Sequence, residues 1–148
     1  MIKPDYDPKA FFHWTEITVR FRDLDPLNHV NNSVFNTYFE EARIDFINHL
    51  PEFNKSMKSS MSFILAHIEI SYLKPLLFQE KLLVGSSILE LGNTSIKGIQ
   101  AIYSKKDKEL KSVAKSVGVW FDLKNNRPAK LPTLPKSENY FFNDSTDG

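Results

Sequence analysis

Residues 32–50 read Asn32-Ser33-Val34-Phe35-Asn36-Thr37-Tyr38-Phe39-Glu40-Glu41-Ala42-Arg43-Ile44-Asp45-Phe46-Ile47-Asn48-His49-Leu50, and this stretch decides the fold. Phe35, Tyr38, Phe39, Ala42, Phe46 and then His49 or Leu50 recur at three- and four-residue spacing, the period of a helix. Val34, Ile44 and Ile47 widen the apolar stripe beyond one face, which predicts a helix wrapped by other structure. Asn32 or Ser33, both good N-cap types, should start it, and Pro51 should close it. His49 would then sit at the negative end of the helix dipole, a favourable place for an imidazole.

Outward from the helix the period changes from 3.6 to 2. Upstream, His13 to Phe21 alternates, with Ile17, Val19 and Phe21 on the face opposite Thr18 and Arg20. Downstream, after a polar break from Asn54 to Ser60, four strands are expected: Met61–Leu73, Lys81–Leu91, Thr94–Tyr103 and Leu110–Phe121. In the first of these Ile64, Ala66, Ile68, Ile70 and Tyr72 should share one face. Lys74-Pro75, Gly92-Asn93, the Lys105–Lys108 tip and Asn125–Pro128 punctuate them as short turns, so the sheet should be antiparallel. The order of one strand, one buried helix and four strands predicts an α+β domain, a five-stranded antiparallel sheet wrapped around one long central helix. Its core should span about 13–132, with 133–148 an extended, partly frayed tail carrying Pro135.

Length and composition agree with one domain. A chain of 148 residues, 41% apolar and 25% charged, has the ordinary balance of a globular protein. Nineteen basic against eighteen acidic side chains leave a net charge of +1, with no field to attract nucleic acid or an anionic membrane. The absence of cysteine removes disulfides, thiol catalysis and Cys-based zinc sites. The first residues lack the apolar run of a signal peptide, and no window approaches a membrane span, so a cytoplasmic protein is expected. Aromatic residues reach 13%, a surplus that calls for a deep core, a subunit interface or a ligand tunnel.

Several chemistries drop out. There is no Gly-x-Ser-x-Gly elbow, and glycines at 85, 92, 98, 118 and 148 are too scattered for a dinucleotide or phosphate loop. The histidines at 13, 29, 49 and 67 show no ligand spacing on one helical face. Asp23-x-Asp25 opens like a calcium loop, but Asn28 stands where that loop needs Gly and Val34 where it needs Glu. No metal and no redox cofactor is expected.

What remains is the loop before the helix, Arg20-Phe21-Arg22-Asp23-Leu24-Asp25-Pro26-Leu27-Asn28-His29-Val30-Asn31-Asn32. A carboxylate beside a helix N-terminus lies next to unpaired backbone N–H groups that stabilise developing negative charge. That pairing suits attack on a carbonyl, although an Asp in such a loop is more often a turn or cap residue.

The wording of the loop, followed by Glu40-Glu41-Ala42-Arg43, resembles the signature of hotdog-fold acyl-CoA thioesterases. The branch it resembles is that of 4-hydroxybenzoyl-CoA thioesterase and acyl-CoA thioester hydrolases, whose pattern reads R-x-x-D-x-D-x-x-G-H-V-N-N and then E-x-A-R. Ile68–Pro75, Gly92–Ile96 and Arg127–Pro132 fit the later segments. The resemblance implies a single hotdog domain that pairs into a homodimer, or a dimer of dimers, with active sites at the dimer interface. It implies hydrolysis of an acyl-CoA to a carboxylic acid and free CoA, the CoA being part of the substrate and not a cofactor. Asp25 matches the catalytic carboxylate, as nucleophile or general base. The oxyanion donor would be a backbone N–H among Asn32, Ser33 and Val34. Asp23, with Arg20 or Arg22, and His29 and Asn31 would brace the loop, and Glu40 and Arg43 read as a structural pair on the helix.

Asn28 stands where the pattern has Gly, and Phe35 where Tyr is common. Asn tolerates left-handed backbone better than most residues, so the turn should survive. Lys105, Lys106, Lys108, Lys111 and Lys115 form either a solvated turn or a patch for phosphates. Acyl-carrier-protein thioesters are the rival substrate, and a non-catalytic acyl-binding hotdog is the rival outside enzymes.

Overall fold

A computed structural model of the chain describes residues 6–57, 60–134 and 139–143. The long helix, α1, runs Asn32–His49. Its buried residues are Phe35, Tyr38, Phe39, Ala42 and Phe46, the three- and four-residue series read above. Five long strands follow the expected order: β1 (His13–Thr18), β2 (Met61–Tyr72), β3 (Lys81–Leu91), β4 (Ser95–Ser104) and β5 (Leu110–Asp122). They form one antiparallel sheet in the order β1-β3-β4-β5-β2, and a two-residue β6 (Arg127–Pro128) adds a sixth piece alongside β5. The α+β architecture of a sheet curled on one helix is therefore present. No described helix is long and apolar enough to cross a membrane.

The helix packs on the β1–β3 half of the sheet. Ile17, Val19, Leu82, Val84 and Ile102 meet Phe35, Tyr38, Phe39 and Ala42 in one core cluster. A second cluster gathers Phe46, Leu50, Phe53, Ile88 and Trp120. Asp45 fastens the last turns of α1 to β1, accepting Thr15 Oγ1 at 2.6 Å, with His13 Nε2 at 2.8 Å.

Several expectations need correction. Ile44 is 53% exposed and Val34 and Ile47 are half-buried, so α1 is not enclosed on every side. Pro51 closes α1 but also opens a second helix, α2 (Pro51–Met57), where a polar break was expected. Proline lacks an N–H and is tolerated in a first helical turn, and the fully buried Phe53 anchors that turn in the second cluster. Residues 58 and 59 of the expected break lie outside the described residues. β1 ends at Thr18 and not at Phe21; a 3-10 turn takes Phe21–Asp23, and Phe21 is 74% exposed, edge-on to Phe78 at 5.7 Å.

In β2 the register against β5 shifts between Leu65 and His67, a bulge at Ala66. One extra residue inverts the parity of everything beyond it. Met61 and Phe63 therefore pack against the second core cluster, while Ile68 and Ile70 pack against the first. Ile64 and Ala66 do not share their face, and both are exposed.

The aromatic surplus has a use on the outer face of the sheet. Ile99, Ala101 and Tyr103 point away from α1 and are covered by Phe11, Ala10, Tyr6 and Phe142. Gly85 makes this possible, because a Cβ there would stand 2.6 Å from the Phe11 ring. Residues 139–143 are extended but docked where fraying was expected: Ile88 N–H donates to Tyr140 O and Phe142 N–H to Ile88 O, both at 2.8 Å. Residues 135–138 and 144–148 of the expected tail lie outside the described residues.

Phe39 is fully buried at the centre of the first cluster. Phe39→Ala should cost about 3–5 kcal/mol in urea unfolding, the range for deleting a buried ring.

Candidate active site

The loop between β1 and α1 folds back on itself as a small hairpin. Leu24 and Val30 form an isolated antiparallel bridge, and Asn31 N–H donates to Asp23 O at 3.0 Å. Asp25 N–H donates to His29 O at 2.8 Å, and Asn28 N–H returns to Asp25 O at 3.0 Å. Asn28 closes this turn with φ +63°, the left-handed conformation that Gly adopts without penalty and Asn at a small one.

Asp23 is 3% exposed, and its carboxylate is the anchor of the loop. It accepts from Arg20 N at 3.1 Å, Arg20 Nη2 at 3.1 Å and Tyr38 Oη at 2.6 Å. Burial pushes its carboxyl up, but the hydrogen bonds from Arg20 and Tyr38 outweigh this and hold it below the ordinary 3.8. Burial and the same carboxylate push the Tyr38 phenol well above its ordinary value. Arg20, not Arg22, is the cationic partner.

Asp25 is half-buried and differently placed. Its Oδ1 accepts from Leu27 N at 2.9 Å and His29 N at 3.3 Å, the turn-residue geometry. Oδ2 accepts from no described residue, so half of the carboxylate is committed to the loop and half is available.

At the helix start Asn31 is the N-cap, its side chain accepting from Ser33 N at 3.0 Å and Ser33 Oγ at 2.9 Å. Val34 N–H donates to Asn31 O at 2.9 Å. Of the three backbone donors considered above, Ser33 and Val34 are therefore engaged. Asn32 N–H donates to no described residue. His29 is exposed; its backbone bridges Leu77, and Val30 N–H donates to Leu76 O at 3.0 Å. The β2–β3 connection thus straps the loop from the far side. Tyr72, at the end of β2, reaches the same corner, donating to Asn32 O at 3.3 Å and meeting Phe35 edge-on at 5.1 Å.

Two features escaped sequence reading. A cleft of about 410 Å³ lies between the middle of α1 and the sheet, lined among others by Arg43, Ile44, Leu65 and Gln100. Arg43 forms no ion pair with Glu40; it donates to Gln100 Oε1 at 3.5 Å. A buried amide among Ile99, Ala101 and Ile102 was the available signal. The hairpin lysines are also less free than their clustering suggested: Lys105 pairs with Glu16 at 3.1 Å, and Lys111 with Glu109 at 3.3 Å and Glu80 at 3.6 Å. Among the described residues no group of three or more His, Asp or Glu side chains is placed to hold a metal ion.

Two consequences are measurable. Tyr38→Phe removes one hydrogen bond to a charged acceptor and should cost about 2 kcal/mol in thermal unfolding. Because Asp23 titrates below its ordinary value when folded, its stabilisation is complete above pH 3.8 and is lost as the pH falls through the folded value. Removing the Tyr38 hydroxyl brings the folded value closer to the unfolded one, so this acid-side loss should become shallower in denaturation curves recorded between about pH 4 and 2.

Residues 19–137 match the family model of the Thioesterase-like superfamily. The long-chain acyl-CoA thioesterase FadM of Escherichia coli is 28% identical over 117 residues, 79% of this chain and 89% of the relative. A chloroplastic acyl-acyl carrier protein thioesterase of Arabidopsis thaliana is 26% identical over 132 residues, 88% of this chain and 69% of the relative. A thioesterase from Thermus thermophilus, solved with coenzyme A and Zn, is 34% identical with a TM-score of 0.71, over 84% of this chain and 94% of its own. A family model that spans the loop, the helix and the four long strands β2 to β5, on a sheet and helix of the same shape, leaves one conclusion: the chain belongs to the Thioesterase-like superfamily and is a hotdog-fold thioesterase.

Proposed function

We propose that the protein hydrolyses acyl-CoA thioesters to a carboxylic acid and free CoA, with Asp25 carrying the chemistry. The observation behind this is the division of labour in its carboxylate. Oδ1 is held by two backbone N–H groups, Oδ2 is unengaged, and the loop runs directly into a helix start where Asn32 N–H is unspent. As nucleophile, Oδ2 attacks the thioester carbon, charge gathers on the carbonyl oxygen, and collapse expels the CoA thiolate to leave a mixed anhydride that water opens. As general base, Oδ2 takes a proton from water, which attacks the same carbon. Either route raises negative charge on one oxygen, which a helix N-terminus stabilises. Asn32 N–H is the donor we assign to it, with Ser33 and Val34 holding the cap geometry. Asp23, Asn31 and His29 set the loop.

Free CoA esters are favoured over carrier-protein esters by charge. An acidic carrier protein needs a broad basic surface. Here Lys74, Lys105 and Lys111 are tied to Glu109, Glu16 and Glu80. The carrier-protein reading draws on the Arabidopsis relatives, acyl-acyl carrier protein thioesterases 26% and 28% identical to this chain.

The same proposal includes a cytoplasmic homodimer with the active site at its interface. β2 is a twelve-residue edge strand carrying exposed Ile64, Leu65 and Tyr72, with exposed Ile44 on α1. An open apolar edge of this kind asks for a partner strand. Sedimentation should give at least twice the 17.1 kDa of the chain; a monomer at micromolar concentration would remove the interface from the proposal.

Asp25→Asn keeps size and removes the carboxylate. Thiol release from an acyl-CoA panel should fall by about two orders of magnitude or more in the folded variant. Equal rates in both proteins would overturn the assignment. Release from carrier-protein esters alone would move the substrate class, and inertness on every thioester would leave an acyl-binding hotdog. Single turnover in ¹⁸O water separates the routes, since only the anhydride passes enzyme oxygen into the product.

A further inference from the structure

The cleft beside α1 is mainly apolar, with a few polar groups set into it. Ile44, Ile47 and Leu65 contribute apolar walls, whereas Arg43, Gln100 and Ser116 contribute polar groups. Gln100 is 3% exposed, and its amide N–H groups are spent on Phe39 O at 3.1 Å and Ser86 Oγ at 3.0 Å. This fixes the orientation of the amide, because a backbone carbonyl can only accept. Its Oε1 is therefore turned to the half-buried Arg43, and that 3.5 Å contact is the guanidinium's single hydrogen bond among the described residues. A guanidinium carries five N–H donors. Burial holds the Arg43 pKa below its ordinary value although the nearby Glu40 pushes it up, the condition of a cation short of acceptors.

Ser116, 8% exposed, makes no side-chain hydrogen bond to a described residue. Opposite it on β4 stands Gly98, where a Cβ would approach Ser116 Oγ to 3.4 Å, so the glycine keeps this part of the floor open.

A plain hydrocarbon in such a cleft would strip water from Arg43 and Ser116 and give nothing back, the costly way to bury donors. A carboxylate would find Arg43 but would also face Glu40, which lines the same cleft. A neutral oxygen accepts from Arg43 and Ser116, and a hydroxyl can in addition donate to Gln100 Oε1. We propose that this cleft is the acyl subsite and that it selects acyl groups bearing a hydroxyl or oxo oxygen over plain chains of the same skeleton. The assignment rests on the thioesterase function proposed above and names its substrate class. The cleft opens beside Ile44 and Leu65, next to the β2 edge where the second copy is placed.

The test uses acyl-CoAs matched in carbon skeleton: plain, hydroxyl-bearing, oxo-bearing and carboxyl-bearing. Thiol release by the full chain should favour the hydroxyl or oxo ester over the plain one by about tenfold or more in kcat/KM, as expected where a site's polar groups are otherwise left unpaired. Arg43→Met and Ser116→Ala should each shrink that ratio, and Ser116→Ala removes only one hydroxyl, so its fold is safe. Equal kcat/KM for plain and oxygenated esters overturns the proposal. So does a preference for the carboxyl ester, or a ratio untouched by both substitutions. If no ester is turned over, calorimetric titration of the matching non-hydrolysable thioethers decides the matter separately. Tighter binding of the oxygenated thioether, lost in Arg43→Met, upholds the cleft while the hydrolytic reading falls; identical affinities overturn the cleft too.

Discussion

One buried carboxylate joins three parts of this molecule. Asp23 accepts from Arg20, just after β1, and from Tyr38, two turns into α1, while its own backbone carbonyl accepts from the N-cap residue Asn31. Strand end, loop and helix are thereby held at one point with little solvent access. An ionised group at that depth is tolerable only because every donor around it is directed at it. The Asp25 hairpin is built on this point, and its second support, the β2–β3 connection at Leu76 and Leu77, comes from the opposite side. A loop fixed from two sides presents a carboxylate with one engaged and one available oxygen, which mobile loops do not do.

The two Asp residues, two positions apart, show how environment divides identical side chains. Asp23 is buried, paired and spent on structure. Asp25 shares its hydrogen bonding between the backbone and open space. A similar division runs through the helix. One face, from Phe35 to Phe46, is committed to the core, and the neighbouring positions Arg43, Ile44 and Ile47 border the cleft. The apolar width of α1 thus reflects two separate demands and not one enclosing core. On the far side of the sheet, Phe11, Tyr6 and Phe142 cover Tyr103 and Ile99, so both sheet faces exclude water over part of their area.

Much of the fold was legible in local sequence. Helix period, strand alternation and turn punctuation are set by neighbours within a few residues, and they located α1 and the five long strands to within a few positions. The motif around Asp25 was legible as wording, and Asn28 as a residue able to take a left-handed turn. The division of roles within the motif was not. Nothing local distinguishes Arg20 from Arg22 as the partner of Asp23, or Asn32 from Ser33 and Val34 as the backbone donor left over after capping.

The sequence by itself therefore determined the long helix and the five long strands, their order, the antiparallel sheet and the helix face that meets it, because periodicity is a short-range code read by burial. Tertiary structure decided the rest. The bulge at Ala66 exists only relative to β5 and reverses which residues of β2 face inward. Phe21 leaves the core because Arg20 and Asp23 close a turn there. Residues 139–143 dock because Ile88 lies beyond the end of β1 and offers unpaired backbone groups. Arg43 takes Gln100 as its partner from 57 residues away, an assignment that the curvature of the sheet makes and no local spacing encodes.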